Sequence, residues 1–98
     1  MHARTGRVSF SPDKADEMVS HVQDTIVPKY EGSQGFKGFT LLLDRSSGQG
    51  IGISFWESEE AMTATDSLGD QARQGAAEAG SGRDQGAEHF EVAVDTMA

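Results

Sequence analysis

The chain has no cysteine, few basic residues and no long apolar run. The first absence excludes disulfides, thiolate nucleophiles and cysteine-held zinc or iron–sulfur centres. Eight lysines and arginines stand against sixteen aspartates and glutamates, a formal net charge of −8. Nucleic acid and anionic membrane surfaces need clustered cations, so neither is an expected partner. The acidic surface reads first as a source of solubility. No stretch approaches the roughly 20 apolar residues of a membrane span. The polar opening Met1-His2-Ala3-Arg4-Thr5-Gly6-Arg7 lacks the apolar centre of a secretory signal, and a cytoplasmic location is the expectation. The three histidines, at positions 2, 21 and 89, share no ligand spacing, so no metal site is expected.

Ninety-eight residues make one domain, expected over 1–98. A domain this short buries a modest core and gains from association with a second copy. Val8 and Phe10 share a face of a weakly alternating segment, residues 3–10, which reads as a strand. Ser11-Pro12-Asp13 then opens a helix: serine caps, and proline at the first position loses no hydrogen bond. Ala15, Met18, Val19, Val22 and Ile26 draw its apolar stripe, and Pro28 is expected to end or kink it near Val27. After a turn over 31–35, residues 36–44 read as a second strand, with Leu41, Leu42 and Leu43 placing apolar groups on both faces. A polar hairpin loop leads to a third strand over 51–56. Ile51, Ile53 and Phe55 lie on one of its faces, and Gly52, Ser54 and Trp56 on the other. Ser58 is the expected cap of a second helix, with Ala61, Met62, Thr65, Leu68 and Ala72 inward. Gly69 and Gly75 each weaken that helix by about 1 kcal/mol relative to Ala. Residues 79–87 read as a flexible Gly-rich loop, and 88–95 as a fourth strand with Phe90, Val92 and Val94 on one side.

The order is βαββαβ, an α+β ferredoxin-like arrangement: a four-stranded antiparallel sheet with both helices on one face. Its other face carries apolar groups with no cover in the chain, so a homodimer is expected to bury it.

The junction Ile53-Ser54-Phe55-Trp56-Glu57-Ser58-Glu59-Glu60-Ala61-Met62 and the segment Gly35-Phe36-Lys37-Gly38-Phe39 resemble those of the antibiotic biosynthesis monooxygenase superfamily. The resemblance implies pairing as a dimeric α+β barrel. That superfamily includes oxygenases of aromatic polyketides that use O₂ with no metal or flavin, haem degraders, and proteins acting on quinones. The haem-degrading branch uses an Asn on the first strand, a Trp ending the third and a His on the second helix. Trp56 matches the second, but the chain has no Asn and residues 57–87 have no His, which speaks against haem. The polyketide branch relies on Asn, Trp and Arg side chains, for which Arg73 is only a loose substitute.

Trp56 is the residue singled out for chemistry: its ring could stack on a flat ligand while its N–H donates to a ligand oxygen. A lone Trp in a small protein is as readily core. Gly52 and Ser54 share its face and leave little side-chain volume, which favours a cavity under the helices. Ser54, Val8, Phe10, Met18, Val22, Met62 and Leu68 are its candidate walls. His21, beside the apolar stripe, is a candidate base but more naturally a surface histidine. No G-x-S-x-G surrounds a serine, and Gly48-Gln49-Gly50-Ile51-Gly52 precedes no helix, so neither a serine hydrolase nor a dinucleotide site is expected. The functional expectation is a cofactor-independent monooxygenase-like protein binding a small aromatic, polyketide or quinone-like molecule. The alternative is a non-catalytic dimeric ligand-binding or stress-associated domain of the same fold.

Overall fold

The structure, a computed structural model, describes residues 1–97; Ala98, the end of the expected domain, lies outside the described residues. Strands β1 (His2–Ser9), β2 (Phe36–Asp44), β3 (Gln49–Trp56) and β4 (Asp84–Glu91) form one antiparallel sheet in the order β2-β3-β1-β4. Helical runs follow β1 and β3, which is the expected ferredoxin-like α+β order.

The first run starts with a 3-10 turn over Pro12–Lys14 and continues as α1 (Ala15–His21), a π turn (Val22–Ile26) and α2 (Val27–Glu31). The expected end near Val27 is therefore corrected: the chain stays helical through Pro28. A proline ring collides with the carbonyl four residues back and offers no N–H. The wider π turn just before it relieves both problems. Met18, Val22, Ile26 and Tyr30 consequently fall four apart on one buried stripe. The second run opens as foreseen, with Ser58 Oγ accepting the Ala61 N–H at 3.1 Å. It comprises α3 (Glu59–Ala64) and α4 (Asp66–Ala79), with Thr65 between them.

Two further expectations are corrected. The segment 79–87 is not a loop: α4 runs to Ala79, and the chain turns over 80–83 and enters β4 at Asp84. β4 then ends at Glu91 rather than 95. It is an edge strand, exposed at every residue, and it is held to β1 by backbone pairing.

The helices cover one sheet face. Val8 and Trp56 from the strands join Phe10, Met18, Val22, Ile26, Tyr30, Met62, Ala76 and Ala77 in one buried core, with Phe39, Leu41 and Leu43 packed against it. On the other face lie the cross-strand rows Phe90–Ala3–Phe55 and Arg7–Ile51–Leu42, where Phe90 and Leu42 are each 48% exposed. No described residue of this chain covers that face.

The β2–β3 turn is tied to the end of β1 at Gly48, whose carbonyl accepts the Phe10 N–H at 2.8 Å. Gly48 has φ +72°, and a Cβ there would stand 2.3 Å from the Phe10 carbonyl oxygen. Both the dihedral and the collision penalise any side chain. Gly48→Ala is expected to cost about 2 kcal/mol or more, read as a lowered urea midpoint with an unchanged slope.

Candidate functional site

The site is built around a buried cation. Arg4 lies on β1 in register with Gly6 and Val8, so its side chain enters the space under the helices, and it is 4% exposed. A buried charge persists only when its donors are satisfied. Arg4 Nη1 donates to the Met62 carbonyl at 2.9 Å, to Thr65 Oγ1 at 3.2 Å and to Asp66 Oδ1 at 3.0 Å. Nη2 reaches the Tyr30 hydroxyl at 3.5 Å. The break between α3 and α4 supplies the first three partners, because carbonyls near a helix end lack their full helical bonding and carry the negative end of its dipole. The guanidinium also stands over the Tyr30 and Trp56 rings, 5.9 and 5.6 Å from their centroids. Asp66 accepts on the same oxygen from His89 Nε2 of β4 at 3.1 Å. The edge strand is thereby tied to the buried cation.

Gly69 makes room for this arrangement. A Cβ there would lie 2.6 Å from Arg4 Nε and 2.8 Å from Cζ. Gly6 does the same for Arg73, whose Cδ would be 2.9 Å from its Cβ. Arg73 donates from Nε to Asp84 at 2.8 Å and from Nη2 to Asp70 at 2.6 Å. Burial alone would lower the Arg73 pKa, but the hydrogen bonds and charges of Asp84 and Asp70 outweigh it and raise the pKa above the ordinary value. For Asp84, burial would raise the pKa, but the Gly86 N–H and Arg73 hold it below its ordinary value of 3.8.

Between the sheet and the helices these residues leave a cavity of about 50 Å³. That is room for about three or four waters, and roughly a third of the volume that admits a benzene ring. Val8, Val22, Ile26, Leu41, Phe39 and Ala76 make most of its wall apolar; Arg4, Arg73, Tyr30 and Ser54 are its polar side chains. Among the candidate walls, Val8, Val22 and Ser54 border this cavity. Phe10, Met18 and Met62 are buried in the core beside it, and Leu68 packs against that core. Trp56 is 0% exposed and does not line the cavity. Its ring meets Tyr30 and Phe36 edge-on at 5.7 and 5.4 Å, and its N–H donates to Ser54 Oγ at 2.8 Å. The hydrogen that the sequence reading offers to a ligand is therefore given to Ser54. His21 is half-buried, lies against Gly75 and is outside the cavity wall.

Arg4 and Tyr30 are absent from the sequence-level candidates. Arg4 has a signal, since a strand face shared with Val8 points it inward. Tyr30 is four residues after Ile26, but it disappears when Pro28 is read as a helix end.

The two helix glycines should respond oppositely to alanine. Gly69→Ala gains about 1 kcal/mol of helix propensity but drives a Cβ into a guanidinium pinned by three acceptors, so it is expected to lose about 1–3 kcal/mol net. At Gly75 the obstacle is the half-buried ring of His21, the far end of a side chain that can swing aside. Gly75→Ala should be neutral or stabilising by up to about 1 kcal/mol, and chemical denaturation reads both variants. Asp84, with its lowered pKa, adds stability above pH 3.8, lost as pH falls through its folded-state value. Asp84→Asn should flatten the acid limb of the stability–pH curve relative to wild type.

No family model matches the chain. Over 65 residues it is 37% identical to two uncharacterized proteins of Mycobacterium tuberculosis, a match covering 66% of this chain and 28–29% of theirs. The chain thus spans under a third of the length of these curated relatives. Among solved structures it superposes on a Streptomyces coelicolor monooxygenase from the gene ActVA-Orf6, in complex with nanaomycin D. That match has TM-score 0.73 and 14% identity, over 99% of this chain and 91% of that one. It also superposes on the heme-degrader MhuD of Mycobacterium tuberculosis with two hemes bound, at TM-score 0.69 and 23% identity over 99% and 100%. Proteins described as putative antibiotic biosynthesis monooxygenases, from Deinococcus radiodurans and Bordetella bronchiseptica, align over 100% and 95% of this chain and 100% and 97% of theirs, at TM-scores of 0.63 and 0.72 and identities of 21% and 12%. With its sheet order, its helical cover and these superpositions, the chain has the fold of the antibiotic biosynthesis monooxygenase superfamily.

Proposed function

We propose that this chain binds a small aromatic, polyketide or quinone-like molecule between sheet and helices, as a cofactor-independent monooxygenase-like protein. The observation that carries the proposal is the pair of guanidinium groups, Arg4 and Arg73, bordering an otherwise apolar cavity. Two cations in an apolar wall favour a flat, mostly apolar ligand with an electron-rich oxygen. Even a single ring needs the cavity to widen. A fused tricycle requires the partly exposed Phe39 and Arg73 to give way.

In such a reaction the substrate supplies all the electrons. A ring CH₂ conjugated through an aromatic ring to a carbonyl loses a proton, the resulting enolate reduces O₂, the carbon becomes a carbonyl, and the second oxygen leaves as water. The arginines would stabilise the enolate, and the apolar wall would exclude bulk water.

The uncovered sheet face fits a second copy of the chain, so the acting unit is a homodimer in this proposal, with 1–98 as its single domain. A cytoplasmic setting belongs to the same reading. Among the described residues no helix is long and apolar enough to cross a membrane.

One observation favours the non-catalytic alternative: among the described residues neither a carboxylate nor an imidazole borders the cavity, so no side chain there is an evident base. Two measurements separate the readings. Titration with an anthrone and a naphthoquinone should quench Trp56 fluorescence, and Arg73→Leu should weaken binding roughly tenfold. Oxygen uptake with anthrone and no added cofactor marks an enzyme; binding without uptake marks the binding domain. Unquenched fluorescence with both compounds rejects the site.

A further inference from the structure

Ser54 stands between Gly52 and Trp56 on the helix-facing side of β3 and borders the cavity. Its Oγ accepts the buried Trp56 N–H at 2.8 Å. A hydroxyl has one hydrogen and two lone pairs. The indole engages a lone pair, and no described residue accepts the Ser54 hydrogen, so the cavity beside it is where that hydrogen can be used.

The other polar groups at the cavity are disposed alike. The Tyr30 hydroxyl accepts from Arg4 Nη2, which leaves its own hydrogen to give. Arg73 commits Nε and Nη2 to Asp84 and Asp70, which leaves Nη1. The carboxylates Asp66, Asp70 and Asp84 lie behind the arginines and outside the cavity wall. A ligand here meets hydrogens from α2, β3 and α4. A ligand O–H finds as acceptors only the Ser54 and Tyr30 hydroxyl oxygens, each already accepting one hydrogen, whereas its anion would accept from several donors.

We propose that the cavity selects the deprotonated, phenolate- or enolate-type form of a small aromatic ligand, and that Trp56 is a positioning residue that acts through Ser54. The inference rests on the binding reading above. The indole N–H holds the serine oxygen so that its hydrogen faces the ligand. Trp56 need not touch the ligand to matter, and Ser54 is the group that does.

Two single-ring probes test this: 4-nitrophenol, which ionises near neutral pH and whose anion absorbs in the visible, and its methyl ether 4-nitroanisole, which cannot ionise. At a pH just below the free phenol's midpoint, added protein should increase the phenolate band, and nitrophenol should bind more tightly than nitroanisole. Ser54→Ala should reduce the bound phenolate preference roughly tenfold. Trp56→Phe should do nearly as much, and the double variant should lose no more than either alone. Ser54→Ala removes one oxygen and decides the matter alone should Trp56→Phe fail to fold. Equal binding of the two probes, or an unchanged phenolate preference in Ser54→Ala, overturns the proposal and leaves the binding reading intact. Failure of both probes to bind overturns both.

Discussion

A guanidinium sealed between a sheet and its helices imposes conditions on everything near it. Arg4 must find acceptors there, because an unpaired buried charge is among the most costly features a small domain can carry. The break at Thr65 supplies a carbonyl and a hydroxyl, the first residue of α4 supplies a carboxylate, and Tyr30 adds its hydroxyl. Gly69 surrenders its side chain so that α4 can approach the cation. Pro28 is tolerated within a helical run, and that run has to continue to bring Tyr30 over Arg4. Features that look like defects in a helix, such as a glycine, a break and a proline, are arranged around one charge.

The same condition shapes the cavity. Arg4 and Arg73 each need space on the opposing element, which Gly69 and Gly6 provide, and Gly52 leaves further room on β3. The volume that remains is apolar in its walls and lined by donors at its polar points. Its electrostatic character follows from where the counter-ions stand, since Asp66, Asp70 and Asp84 neutralise the arginines from behind. Tyr30 and Phe39 of its wall belong to an aromatic cluster with Phe36 and Trp56, and Trp56 communicates with the cavity through Ser54.

Much of the architecture was legible in the chain. The alternation Ile51, Ile53, Phe55 against Gly52, Ser54, Trp56 separated the two faces of β3, and Ser58 announced the second helical run. Val8, Val22 and Ser54 were legible as neighbours of a cavity because each follows from strand or helix periodicity. Phe10, Met18 and Met62 obey the same periodicity and turn out to be packed core, since a pattern places a residue on a face but not at a given depth. β4 was placed too far along because Phe90, Val92 and Val94 alternate over 88–95, whereas backbone pairing with β1 sets the strand at Asp84–Glu91. The helix beyond Pro28 was lost because local sterics argue for an end there, and only packing of Ile26 and Tyr30 justifies the π turn that avoids it.

By itself, then, the amino-acid order determined the element sequence, the two-sided apolar sheet, the acidic surface and the exclusion of thiol chemistry, because each depends on composition or short-range periodicity. Tertiary structure decided what the polar residues do. Arg4 pairs with groups 58 to 62 positions away, and Arg73 meets Asp84 across the turn into an edge strand. Hydrogen-bond partners that far apart are chosen by the packing of helices on the sheet, and no local pattern encodes them.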